Sequence, residues 1–100
     1  MDNNIFEVVD KSGRKIRLTK KQWGHITRDH PEISNNEIIK ETLENPTKIT
    51  QSYGVRKHYY YKYYKDRKSP DKFLMVIVKY LNGEGFVISA FYVKNVKPNG

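Results

Sequence analysis

Phe73-Leu74-Met75-Val76-Ile77-Val78-Lys79-Tyr80 (FLMVIVKY, residues 73–80) is the stretch whose reading decides the fold. Successive side chains of a strand point to opposite faces, and here both faces are apolar, which suits a central strand covered at least partly on each side. C-terminal to it, Asn82 and Gly83 mark a tight hairpin into a strand over 86–93 (FVISAFYV). N-terminal to it, a basic loop over 66–71 leads back to a strand over 56–64 (RKHYYYKYY), and a turn at Tyr53 and Gly54 leads to one over 48–52. These four segments form an antiparallel meander.

The first half of the chain has a different period. Ile5–Val9 and Lys15–Leu18 alternate around the turn Asp10–Gly13 and read as a β-hairpin that braces the domain. Thr19 with Gln22 three residues on has the form of a capping box, so a helix begins at Lys20 and buries Trp23, Ile26 and Thr27. It stops near Asp29, because His30 precedes Pro31 and is pushed out of helical backbone. Ser34 and Glu37 repeat the capping signal for a second helix over 35–44, with Ile38, Ile39 and Leu43 inward and Pro46 beyond its end. The expected fold is α+β: an N-terminal β-hairpin and two short helices packed on a four-stranded antiparallel sheet.

At 100 residues the chain supports one domain, spanning 1–100, with one modest core. It has no cysteine, which excludes disulfides, a thiolate nucleophile and cysteine-ligated metal. The opening MDNNIFEVVD has no basic leader, and the longest apolar run, 73–78, is far too short for a bilayer, so a cytoplasmic, unprocessed protein with no membrane partner is expected. Nineteen Lys and Arg against eleven Asp and Glu give +8, a bias toward polyanions that also serves plain solubility.

The stretch 19–33 (TKKQWGHITRDHPEI) concentrates the chemistry: His25, Arg28, Asp29, His30 and Glu32. Two imidazoles can cleave RNA without a metal or other cofactor, one removing the ribose 2′-OH proton and the other protonating the leaving 5′-oxygen. Neutral and protonated imidazole coexist near neutral pH, and Arg28 would hold the phosphate oxygens. His25 and His30 are five apart, not at the four-residue spacing of a helical zinc pair, so no metal site is expected.

In the 56–64 strand, Tyr59, Tyr61 and Tyr63 alternate with Arg56, His58, Tyr60, Lys62 and Tyr64. Rings interleaved with cations suit single-stranded RNA, with Arg56 and Lys62 on phosphates and Tyr60 or Tyr64 stacking a base; tyrosine is equally a good strand former. His58 reads as a partly exposed strand residue. Lys79 and Ser89 interrupt apolar strands, as a phosphate clamp and a hydroxyl donor or simply as a strand-end lysine and a satisfied hydroxyl. A two-residue Asn82–Gly83 turn would place them on opposite faces, whereas a three-residue loop with a bulge would place them together, as joint catalysis requires.

QWGHITRDHPEI, EIIKETLENPTKIT, YYYK, FLMVIVKY and GFVISAFYVKNVK, in this order and spacing, resemble the phage-type nuclease domains of the barnase, EndoU, colicin and RelE superfamily, the BECR fold. The resemblance runs from about Leu18 to Lys97. It implies two N-terminal helices on a four-stranded antiparallel sheet and a metal-independent RNase. Its functional positions fall on His25, His30, Lys62, Lys79 and Ser89, with Arg28 inside the first motif. The family's threonine, alanine, tyrosine is here Ser89, Ala90, Phe91, which keeps the hydroxyl and loses the phenol. The resemblance implies an endoribonuclease acting on tRNA or another single-stranded RNA, toxin-like, with a cognate inhibitor or immunity protein as a further partner. It would leave 2′,3′-cyclic phosphate and 5′-OH ends. The alternative is a non-catalytic RNA-binding or protein-interaction module on the same fold, and the salt dependence of binding tells the RNA and protein partners apart.

Overall fold

A computed structural model describes residues 3–52, 54 and 56–99; Tyr53, half of one expected turn, lies outside the described residues. The elements are β1 (Asn4–Val9), β2 (Lys15–Thr19), α1 (Lys20–Asp29), α2 (Glu37–Glu44), β3 (Lys48–Ser52), β4 (Lys57–Tyr63), β5 (Phe73–Leu81) and β6 (Glu84–Val93). The class is α+β as expected. The sheet, however, is six-stranded and mixed, ordered β1-β2-β6-β5-β4-β3, not a separate four-stranded antiparallel one. The hairpin expected as a brace joins it, because β2 pairs in parallel with β6 through Ile16 opposite Gly85 and Arg17 opposite Phe86. Gly85 makes that junction possible. A Cβ there would lie 2.9 Å from both Tyr80 Cε1 and Val78 Cγ1 and 3.0 Å from Ile16 Cγ1.

Both faces of β5 are covered, which is why its sequence does not alternate in polarity. On the inner face Leu74, Val76 and Val78 join Leu18, Tyr60 and the helix residues Ile26, Ile39 and Leu43 in the main core. On the outer face Tyr59, Tyr61 and Met75 form a second cluster with Phe73, Ile77, Phe91, Val93 and Val96. The chain after β6 crosses this outer face: Lys97 N donates to Tyr61 Oη at 2.9 Å, and Gln51 N donates to Asn99 Oδ1 at 2.8 Å.

The helix ends follow side-chain chemistry, with one departure at each start. Thr19 Oγ1 accepts from Gln22 N at 3.1 Å, but the Gln22 side chain turns to β6, where Nε2 donates to Ile88 O at 2.6 Å. The second capping box does not form. Helix α2 starts at Glu37 with Asn36 as its N-cap, and Asn35 Oδ1 accepts from Glu37 N at 2.9 Å. No helix among the described residues is long and apolar enough to cross a membrane.

Leu81 pairs with Glu84, so the β5–β6 turn has two residues, Asn82 and Gly83, both left-handed at φ 54° and 81°. That is the geometry a tight hairpin demands. Farther along, Val78 pairs with Val87 but Ile77 pairs with Ser89, leaving Ile88 as the extra residue of a bulge.

Candidate functional site

The bulge decides which side chains meet. A two-residue turn alone would put Ser89 on the face opposite Lys79; the extra residue at Ile88 brings Ser89 back to the outer face with Ile77, Lys79 and Phe91. Ser89 is then the midpoint of a row. Lys79 of β5 is its diagonal cross-strand neighbour, about 7–8 Å away, and Phe91 lies two residues along β6, about 7 Å away. Lys57 of β4 stands directly opposite Lys79. Like charges in cross-strand register repel, and among the described residues neither lysine has a carboxylate partner. His30 closes the other end of the row, its ring stacked on Phe91 with centroids 4.7 Å apart and planes at 21°. Glu32 lies 3.9 Å from His30 Nδ1.

His25 is engaged by Arg28 at the end of α1. Arg28 Nη2 donates to His25 Nδ1 at 3.0 Å and Arg28 Nε to Asp29 Oδ1 at 3.2 Å, an exposed cluster on the helix end. Among the described residues no group of three His, Asp or Glu side chains converges as a ligand set.

The residues read as RNA-binding separate. Tyr60 is 1 % exposed in the main core, so its ring has no open face for a base. Tyr64 packs into the same core, half-buried, edge-on to Tyr92. Lys62 donates to Asn45 O at 3.2 Å and lies 3.7 Å from Glu41, tied to the end of α2. The open ring of the tyrosine run is Tyr63 on the outer face, 47 % exposed.

Arg56 belongs to a different place, a cleft of about 540 Å³ lined by Arg14, Gln51, Arg56, His58 and Tyr80 among others. Its back wall is a buried network. Asp10 Oδ1 accepts from Ser12 N, Ser12 Oγ and Arg14 N, while Oδ2 accepts from Tyr60 Oη at 2.7 Å. Tyr60 has one proton and gives it to Asp10, so the 2.5 Å contact between the Tyr60 and Tyr80 hydroxyls is donated by Tyr80. Burial pushes the Asp10 carboxyl up, but bonds from Ser12, Tyr60 and the Arg14 and Ser12 amides outweigh it and hold it below the usual range. Burial, followed by the hydrogen bonds with Tyr80 and Asp10 and then by their charges, raises the Tyr60 pKa.

Arg14 lies with its guanidinium carbon 4.8 Å over the Tyr80 ring and Nη1 3.4 Å from His58 Nε2. Arginine only donates, so His58 Nε2 accepts and the neutral ring carries its proton on Nδ1, which is buried without a partner among the described residues. Burial first, then the Arg14 charge, lowers the His58 pKa, against an opposing pull from Asp10. Asp10, Arg14, Lys57 and Tyr80 were not singled out from sequence as site residues. The signal for two of them was present: Asp10 with Ser12 is an Asx-turn pattern, and it aims the following Arg14.

Compared with protein-family models, with curated proteins and with solved structures, the chain matches none.

Proposed function

We propose that the chain is a metal-independent endoribonuclease of the barnase, EndoU, colicin and RelE kind, and that single-stranded RNA lies over the part of the outer face that carries Phe91, Ser89, Lys79 and Lys57. The observation that carries this reading is the row His30, Ser89, Lys79 with Lys57 beside it, held on one face by the bulge. A phosphate over Ser89 has an imidazole on one side and ammonium groups on the other, as an in-line displacement needs. His30 takes the proton from the ribose 2′-OH; the 2′-oxygen bonds to phosphorus; the bond to the 5′-oxygen breaks and that oxygen takes a proton from Lys79. The products are a 2′,3′-cyclic phosphate and a 5′-OH. Ser89 donates to a non-bridging oxygen and Lys57 offsets its charge. His25 and Arg28 hold a flanking phosphate, and Tyr63 offers a stacking face. A toxin-like role with an inhibitor covering the same face is part of the reading.

The test is incubation with total tRNA and with a single-stranded RNA in EDTA, followed by analysis of product ends. Cyclic phosphate ends, a loss of about a hundredfold or more in His30→Ala and Lys79→Ala, and a loss under about tenfold in His25→Ala are expected. Cutting by His30→Ala at the parent's rate would sink the mechanism, and RNA binding without cutting by the parent would leave the non-catalytic module.

A further inference from the structure

We infer that the cleft between the Asp10–Arg14 turn and the start of β4 binds a phosphomonoester, with Arg14 and Arg56 as its cationic walls and His58 as a third donor. The site is built from inner-face side chains, whereas the proposed cleavage row lies on the outer face, so the two inferences stand apart. Its volume, about 540 Å³, falls in the range of small-ligand sites and suits one nucleotide.

The charge is unbalanced. Among the described residues neither Arg14 nor Arg56 has a carboxylate within ion-pair distance, and the Asp10 carboxylate behind them has both oxygens occupied by the turn and by Tyr60. Arg14 is also held in place. Its backbone N is bonded to Asp10, its guanidinium lies over Tyr80, and Nη1 faces His58, so little side-chain freedom is lost when an anion arrives.

Three possible donors favour a dianion over a diester. A phosphomonoester carries about −1.5 to −2 at pH 7 and offers three strong acceptor oxygens. The groups facing His58 are Arg14 and Asp10 from the turn, Tyr80 from β5, Gln51 opposite it on β3, and Arg56 at the mouth. In the free chain burial, and after it the Arg14 charge, lower the His58 pKa, and Nε2 accepts from Arg14. A dianion between the guanidiniums reverses that balance: His58 takes up a proton, and Nε2 becomes a donor. Binding is therefore coupled to proton uptake.

The test uses binding, not cleavage, as its readout. Sulfate, a dianion at every pH used, is titrated into the full chain while the His58 imidazole resonances are followed. Adenosine 5′-monophosphate and a 2′-O-methyl tetranucleotide with a 5′-phosphate or a 5′-OH follow. Sulfate should raise the His58 pKa by about a unit, and Arg14→Gln and Arg56→Gln should each weaken nucleotide binding about tenfold while their unfolding midpoints confirm the fold. Tight binding of the mononucleotide alone identifies a free nucleotide as the ligand, and equal binding of the phosphorylated tetramer identifies an RNA end. Equal affinity for the 5′-OH tetramer, unmoved His58 resonances at saturation, full affinity in a folded Arg56→Gln chain, or no binding at millimolar concentration each overturns the site.

Discussion

Asp10→Ala is the substitution that most directly tests the network behind the cleft. It removes the acceptor of Tyr60 Oη, whose ring is 1 % exposed, leaving that hydroxyl only its 2.5 Å contact with Tyr80. An unmet buried donor costs about 1–3 kcal/mol. The turn also loses its bonds from Ser12 N, Ser12 Oγ and Arg14 N, so the whole loss is about 3 kcal/mol. In a domain this size that lowers the melting temperature by more than about 10 °C. The assay is urea unfolding followed by Trp23, the single tryptophan. A double-mutant cycle with Tyr60→Phe isolates the shared bond, with a coupling of about 1 kcal/mol or more. Asn at position 10 should cost less, since it keeps an acceptor for the turn amides. The pH dependence has a definite sign: the folded pKa lies below the ordinary 3.8, so this stabilisation is present above about pH 4 and is lost as pH falls through the folded value. An Asp10→Ala loss below about 1 kcal/mol, or effects that simply add in the cycle, would refute the network as a structural element.

Gly85→Ala should destabilise by about 1–3 kcal/mol, because the added methyl meets Tyr80, Val78 and Ile16 at 2.9–3.0 Å in the packed junction of β2 and β6; an unchanged urea midpoint would contradict that close approach. His58, whose folded pKa lies below 6.5, makes the unfolded chain bind more protons, so stability should fall as pH drops below about 6.5 toward the folded value. His58→Gln should flatten the pH 7 to pH 5 trend, and an identical slope in the variant would remove His58 as its source.

Local rules carried the elements well and the sheet less well. The alternation of Tyr59, Tyr61 and Tyr63 against His58, Tyr60 and Lys62 is a backbone property, and the strand keeps it. What those faces touch is not local. Tyr60 and Tyr64 read as open aromatic rings because nothing near them in sequence says that helices cover them, whereas Ile26, Ile39 and Leu43 arrive from far away. The hairpin of β1 and β2 was recognisable, but its parallel contact with β6 depends on the missing side chain of Gly85, a fact about packing in three strands at once. The cleft was hidden for the same reason, since Arg14 and His58 are 44 residues apart and neither is unusual in its own neighbourhood.

The row at Ser89 shows most clearly where local reasoning runs out. Asn82 and Gly83 form the two-residue turn their sequence demands, and from that turn alone Lys79 and Ser89 should face apart. They face together because Ile88 is extruded, and the Ile88 carbonyl accepts from Gln22 Nε2 at 2.6 Å. Gln22 is the residue whose side chain should have closed the capping box on Thr19. Instead it turns to β6 and satisfies a carbonyl at the bulge, 66 residues away. The helix start and the face presented by Ser89 are thus one interaction. Local rules name both ends of it, and only the fold joins them.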